Sequence, residues 1–143
     1  MGTITSANAV VMLGAKSLFP TPQQLQGFAA DDVFSTEDID TAEVVMGVDG
    51  KMSAGFVFVP VPQSYSLQAD SPSISFFEAL YQAQQAAKEV YFLFGVVTLS
   101  SISRSYVMNN GVLSRYKPAS DAKKVLQPRT FRITWESITP TPI

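Results

Sequence analysis

Carboxylates are the side chains of this 143-residue chain whose spacing most readily suggests chemistry. Grouped carboxylates can hold Ca²⁺ or Mg²⁺, or can act as an acid and base pair. An EF-hand loop also needs a glycine at its sixth position, and this stretch has none there. We therefore interpret the group as solvated or interface-facing carboxylates. Its members are Asp31, Asp32, Glu37, Asp38 and Asp40.

Other catalytic chemistry is limited by the residue types that the chain lacks. It contains no His and no Cys, which excludes Ser-His-Asp and Cys-His nucleophiles, imidazole or thiolate zinc sites, and disulfides. No glycine-rich segment matches a P-loop or a dinucleotide fingerprint. We therefore predict that the protein is not an enzyme and that it uses no metal or cofactor.

Basic residues are concentrated in the second half of the chain. Tyr106, Tyr116 and Phe131 lie among them and could stack on bases, as in an OB-like nucleic-acid-binding module. The acidic first half would repel phosphates, so this function is kept only as an alternative. Seven basic residues fall between positions 104 and 132: Arg104, Arg115, Lys117, Lys123, Lys124, Arg129 and Arg132.

The charge distribution and the composition both suggest a protein partner. Residues 1–72 carry eight acids and two bases, and residues 73–143 carry eight bases and four acids, for a net charge of −2. Opposite blocks usually pair on one solvated surface, but they can also pair between copies. Only 15% of the residues are charged, against about 25% in an average soluble domain, while 46% are hydrophobic. Much uncharged surface is therefore available for an interface.

Most of the local patterns predict β-strands. Asp49-Gly50 favours a type I′ turn and predicts a long hairpin over 44–62, which by itself accounts for Asp49, Gly50 and Lys51. Asn110-Gly111 predicts a second hairpin over 104–116. The second arm of the first hairpin is expected at 56–61, and further strands are expected at 4–13, 91–99 and 131–135, which makes about six strands in all. Those at 56–61 and 91–99 are apolar on both faces, so each needs cover on two sides.

One amphipathic helix interrupts the strands. Ser75 and Glu78 match a capping box, and the apolar stripe then runs through Phe76, Leu80, Ala83, Ala87 and Val90. Prolines predict loops over 18–25 and 118–128. No apolar run is long enough to cross a bilayer, so no membrane insertion is expected. The fold predicted is a single domain over 1–143, mainly β with one α-helix: an antiparallel β-sandwich or barrel with a flanking amphipathic helix.

The order of several short segments resembles the tail tube proteins of contractile-tailed bacteriophages, and is similar to the tube-forming protein of type VI secretion systems. The segments are Leu18-Phe19-Pro20, Leu25-Gln-Gly-Phe28, Asp31-Asp32-Val-Phe34, Val45-Met-Gly-Val-Asp-Gly-Lys51, Leu67-Gln-Ala-Asp-Ser71 before the helix, and Phe131-Arg-Ile-Thr-Trp135. The resemblance implies a non-enzymatic virion protein that forms hexameric rings. Sheets of neighbouring subunits would join around a lumen, and the rings would stack into a tube through which DNA is ejected.

The resemblance also implies partners and a location. The partners are other copies of the chain, the tail sheath, the baseplate, the tape measure and the tail terminator, with DNA passing through the lumen without specific binding. The location is the virion tail, and the host cytoplasm during assembly. A baseplate initiator or terminator that forms one ring is the structural alternative.

Two kinds of surface are predicted to contact other subunits or rings. The first is the pair of charge blocks, which could meet between copies. The second is the hairpin tip, which would project towards a neighbour unless the hairpin lies within the sandwich. The residues are Asp31, Asp32, Glu37, Asp38, Asp40, Asp49, Gly50, Lys51, Arg115, Lys117, Lys123, Lys124 and Arg129.

Overall fold

The computed structural model describes residues 9–16, 18–29 and 33–142, and within these ranges it contains nine β-strands and one α-helix. The predicted class, mainly β with one helix, is confirmed. The elements are β1 (Ala9–Ala15), β2 (Phe19–Gln24), β3 (Phe34–Thr36), β4 (Ala42–Met46), β5 (Met52–Phe56), β6 (Val61–Leu67), α1 (Ile74–Ala87), β7 (Leu93–Leu99), β8 (Arg104–Arg115) and β9 (Arg129–Pro142), with a 3₁₀ turn at Ser100–Ile102.

Seven strands form an antiparallel sheet in the order β2-β1-β7-β8-β9-β6-β3, and β4 pairs with β5 in a separate sheet. In a flat sheet β1 and β6 would lie about 19 Å apart, because neighbouring strands are about 4.8 Å apart. The Leu25 amide nevertheless donates to the Val11 carbonyl at 2.8 Å, and the Gln68 amide donates to the Gly27 carbonyl at 2.8 Å. Leu25 and Gly27 can be separated by at most about 7 Å. The sheet must therefore curl into a barrel-like shape.

The core fills the inside of this curled sheet. On β9 the side chains of Phe131, Ile133 and Trp135 are buried while their neighbours are not, which confirms the predicted alternation. The first half of α1 closes one end of the core, where the Phe77 ring stacks on the Phe131 ring at a centroid distance of 4.3 Å. Burial of large apolar side chains is the main stabilising contribution in such a fold.

The helix differs from its prediction at both ends. Its N-cap is Ser73, and the Ser75 hydroxyl donates to the Pro72 carbonyl at 3.0 Å, so the predicted capping box is wrong. Lys88 adopts a left-handed conformation (φ 57°) and ends the helix before Val90. Ala87 and Val90 are exposed, so the buried stripe is shorter than predicted.

Asn110-Gly111 does not form a turn, because β8 continues through it as one strand. Asn110 has a φ of 46°. It lies where the pairing of β8 with β7 shifts register, between Met108, which is paired with Gly95, and Gly111, which is paired with Leu93. A Cβ atom on Gly111 would lie 2.4 Å from a ring carbon of Trp135. The dipeptide that we interpreted as a hairpin turn therefore serves a β-bulge and the close approach of a tryptophan.

Two other segments correct the sequence interpretation. The predicted loop at 18–25 contains β2, which tolerates Pro20 and Pro22 because an edge strand has one row of amides without a ladder partner. The predicted strand at 56–61 is instead a connection between β5 and β6. The strand predicted over 4–13 corresponds to β1 from residue 9 onward, and its earlier part lies outside the described residues. The loop predicted over 118–128 is confirmed.

Candidate assembly surfaces

The hairpin formed by β4 and β5 stands apart from the seven-stranded sheet, and all ten of its strand residues are exposed. Directly opposed residues of an antiparallel pair lie on the same face. The three pairs on one face are Ala42 with Phe56, Val44 with Ala54, and Met46 with Met52. This apolar hairpin face therefore has no polar side chain, whereas the other face carries Glu43 and Ser53.

The hairpin tip contains three of the predicted contact residues. The Gly47 amide donates to the Lys51 carbonyl at 2.8 Å, and the Gly50 amide donates to the Gly47 carbonyl at 3.0 Å. Gly50 has a φ of 85°, but Asp49 is not in the positive-φ region, so the predicted type I′ turn is wrong. The tip is a three-residue turn with its glycine in the left-handed conformation. Asp49 Oδ1 accepts a hydrogen bond from the Lys51 amide at 3.1 Å, and within the described residues neither strand of the hairpin pairs with the seven-stranded sheet.

The acidic residues divide into paired and unpaired members. Asp31 and Asp32 lie outside the described residues. Glu37 forms an ion pair with Arg132 of the same chain, so at this position the two charge blocks meet within the fold. Asp38 and Asp40 are exposed and form no ion pair with any residue in the described ranges. Their carboxylates are available to another molecule.

Arg129 belongs to the core rather than to an intermolecular surface. It is 5% exposed, and its Nε and Nη2 atoms donate to the Lys117 carbonyl at 3.1 and 2.7 Å. Its Nη1 lies 3.2 Å from Glu78 Oε2, and its guanidinium carbon lies 5.2 Å from the centre of the Phe131 ring. Because these contacts leave almost no free surface, we do not retain Arg129 as an intermolecular contact.

The loop between β8 and β9 presents the remaining basic residues. Lys117 Nζ lies 2.9 Å from Asp121 Oδ2, and the Gln127 amide donates to the Asp121 carbonyl at 2.9 Å. These bonds hold a tip at which Lys123, Lys124, Val125 and Leu126 are all exposed, the last two by 69% and 62%. We call these four residues the basic loop tip; Arg115, at the end of β8, is exposed as well. Sequence reasoning selected the two lysines and missed the aliphatic pair that directly follows them.

A cavity of about 420 Å³ lies at the other end of the curled sheet. Gln63 is buried in its wall and donates from Nε2 to Thr36 Oγ1 at 2.8 Å, while its Oε1 accepts the Tyr65 hydroxyl. Burial raises the pKa of Tyr65, so this hydroxyl remains a donor. Sequence reasoning missed the cavity, because its walls come from five strands: the lining residues are Phe34, Thr36, Glu37, Ile39, Val61, Gln63, Val97, Leu99, Tyr106 and Ile138.

Neither a metal site nor a membrane-spanning helix is present in the part of the chain that the structure describes. No three His, Cys, Asp or Glu side chains lie close enough together there to hold a metal ion. The helix in this part is too short to cross a bilayer.

Comparison with known proteins adds a family. A family model described as "Tail fiber protein gp32" matches residues 2–139, which is nearly the whole chain. No curated protein matches the sequence significantly.

Solved structures with a similar fold come from contractile injection systems. The tube terminating cap of the anti-feeding prophage aligns with a TM-score of 0.67 and 14% identity over 100% of this chain and 93% of that chain. The sheath/tube terminator of an extracellular contractile injection system gives 0.67 and 10% over 99% and 98%. A chain of the sheath-tube complex of such a system gives 0.65 and 10% over 99% and 93%. At these identities the likeness establishes the fold alone.

Proposed function

We propose that this chain, which belongs to the tail fiber protein gp32 family, assembles into hexameric rings that stack as the inner tube of a contractile tail. Its role is that of a tail structural protein, located in a virion or a tail-like particle. The hexamer, the stacking and the use of the tube as a conduit for DNA ejection are the proposed parts. We further propose that the protein catalyses no reaction and that it assembles in the host cytoplasm.

The apolar hairpin face is the observation that carries this proposal. An isolated two-stranded hairpin is at best marginally stable in water, and a contiguous exposed apolar patch marks an interaction site. Six apolar side chains face solvent here in the single chain, among them Val44, Met46 and Phe56. A neighbouring copy in a ring or a stack would cover them.

Strand β7 supports the same conclusion. Its inward residues are buried, whereas the outward Phe94 and Val96 are only half-buried in the single chain. A neighbouring copy packed on this face would cover it, and sheets that continue from one subunit to the next would satisfy the unpaired backbone groups of edge strands. The proposed partners are therefore other copies first, and then the sheath, the baseplate, the tape measure and the terminator. DNA would pass through the lumen without specific binding.

A single-ring baseplate or terminator protein is the second candidate function. The structures similar in fold include a tube terminating cap, a sheath/tube terminator and a chain of the anti-feeding prophage baseplate, the last with a TM-score of 0.59. Such a subunit would use the same lateral contacts within its ring but would not polymerise. An OB-like nucleic-acid-binding module, the third alternative, would remain monomeric and would bind DNA in a salt-dependent manner.

Two substitutions on adjacent hairpin residues test the proposal. Val44 and Val45 are 59% and 63% exposed, but only Val44 lies on the apolar hairpin face. We expect Val44→Asp to abolish oligomers in analytical ultracentrifugation, because a carboxylate would be buried in an apolar contact. The matched control Val45→Asp should still assemble. Equal assembly of both variants, or a wild-type protein that remains monomeric, would disprove the role of this face.

A further inference from the structure

We propose that the basic loop tip of one copy inserts into the cavity of a second copy, with Val125 and Leu126 in the apolar interior and Lys123 and Lys124 facing Asp38 and Asp40. This inference rests on the proposed stacking and identifies the two surfaces that meet in it. It concerns a contact different from the apolar hairpin face, and it can fail while that proposal stands.

The two surfaces lie at opposite ends of the same strands. Strand β8 starts beside the cavity, which Tyr106 lines, and ends at Arg115, shortly before the loop. Nine residue steps along the strand separate Tyr106 from Arg115, a distance of roughly 30 Å. Strand β9 returns from Arg129, next to the loop, to Ile138 in the cavity wall. One end of the subunit therefore carries the projection and the other end carries the cavity.

The apolar parts of the two surfaces are complementary. The cavity is lined mainly by aliphatic and aromatic side chains, including Val61, Val97 and Leu99. A dry apolar cavity of about 150 Å³ is large enough for benzene, so a cavity of about 420 Å³ has room for two aliphatic side chains. Val125 and Leu126 are such a pair, and in the single chain both are largely exposed to water. Docking would remove both apolar surfaces from water.

The charges around these parts are complementary as well. Ile39 lines the cavity, and Asp38 and Asp40, on either side of it, are exposed and without an ion pair in the described ranges. Lys123 and Lys124 directly precede Val125. Insertion of the aliphatic pair would therefore bring two ammonium groups to the mouth that carries two carboxylates. Complementary charges of this kind fix the orientation of partners and oppose the contact of like ends.

The loop is held in its exposed conformation before any contact is made. Ala122 and Leu126 form an isolated β-bridge, and the Lys123 amide donates to the Val125 carbonyl at 3.3 Å. Arg129 fixes the base of the loop through the Lys117 carbonyl. A preorganised loop loses little conformational entropy on docking. Because its site is a different surface of the chain, the contact is heterologous and repeats head to tail.

Disulfide cross-linking tests this contact directly, because the wild-type chain contains no cysteine. We would mix two single-cysteine variants, Ile39→Cys and Leu126→Cys, allow them to assemble, and oxidise them mildly. The matched control mixes Leu126→Cys with Val90→Cys, which is exposed just before β7 at the loop end. Two loop-end cysteines do not face each other in a head-to-tail contact. We expect at least a tenfold higher yield of covalent dimers from the 39/126 mixture than from the control.

This contact would be overturned if assembled particles, whether stacked or single rings, gave no more 39/126 dimer than the control. If those particles were stacked, the tube proposal would remain intact. A protein that remains monomeric would overturn both proposals.

Charge exchange provides a second measurement: the double variant Asp38→Lys with Asp40→Lys should stack at least tenfold less, while remaining folded by circular dichroism. Combining it with Lys123→Asp and Lys124→Asp in the same chain should restore stacking. Failure of that restoration would also contradict the proposed pairing.

Discussion

Arg129 illustrates how one residue can hold two elements in place. Its guanidinium lies under the loop that follows β8, where it donates twice to the Lys117 carbonyl and pairs with Glu78 of α1. Only the surrounding fold reveals this role, because the sequence shows merely one more base in a basic block. The positions of Lys123 and Lys124 depend on the same anchor.

Removal of this anchor should destabilise the chain. Arg129→Ala would leave the Lys117 carbonyl without its donors and would remove the cover from the Phe131 ring, so we expect a loss of about 2–3 kcal/mol in the free energy of unfolding. Urea denaturation at a protein concentration that keeps the chain monomeric measures the loss. Arg115→Ala is the matched control, since Arg115 is exposed, and it should change stability by less than about 0.5 kcal/mol. Similar values for the two variants would contradict the anchoring role.

At the scale of elements, the strength of local patterns decided which predictions held. The alternation on β9 and the hairpin around Asp49-Gly50 were found because each is encoded by neighbouring residues. Asn110-Gly111 was misinterpreted because a positive φ serves a bulge as well as a turn, and only Trp135, distant in sequence, distinguishes the two. The edge strand β2 was missed because its prolines are compatible with a strand only where one row of amides lacks a ladder partner.

The candidate surfaces likewise divide into features that neighbouring residues encode and features that depend on the folded arrangement of distant residues. Charged residues such as Asp38 and Lys124 could be selected from the distribution of charge along the sequence alone. The cavity could not be predicted, because its wall joins residues as distant as Phe34 and Ile138 and depends on the curl of the sheet. The apolar hairpin face needed the register of β4 against β5, which shows that Val44 and Met46 share a face with Met52.

Assembly should change the exchange behaviour of the hairpin. Residues 46–53 are exposed in the single chain, so their amides outside the β4–β5 ladder should exchange rapidly with deuterium in monomers. Contact with a neighbouring copy should slow this exchange by at least tenfold in assembled particles. Hydrogen-deuterium exchange followed by mass spectrometry measures the difference, and the exposed end of α1 near Lys88 serves as a reference segment. Unchanged exchange at 46–53 in assembled particles would exclude the hairpin tip from the contacts.

The surface of the whole molecule fits a subunit that is completed by its own copies. Its composition has little charge and no His or Cys, its hairpin presents an apolar face to water, and its two barrel ends differ in shape and charge. A closed symmetric dimer would leave one of these ends uncovered, whereas head-to-tail repetition covers both.

Electron microscopy of the purified wild-type protein, negatively stained over a range of concentrations, tests the central claim most directly. We predict hollow tubes of uniform diameter whose length increases with protein concentration, because each added ring presents the same two ends again. The single-cysteine and hairpin variants then identify the contacts within the same particles. Strictly monomeric particles at all concentrations would contradict the account, and isolated rings that never stack would contradict the tube and favour the terminator or baseplate role.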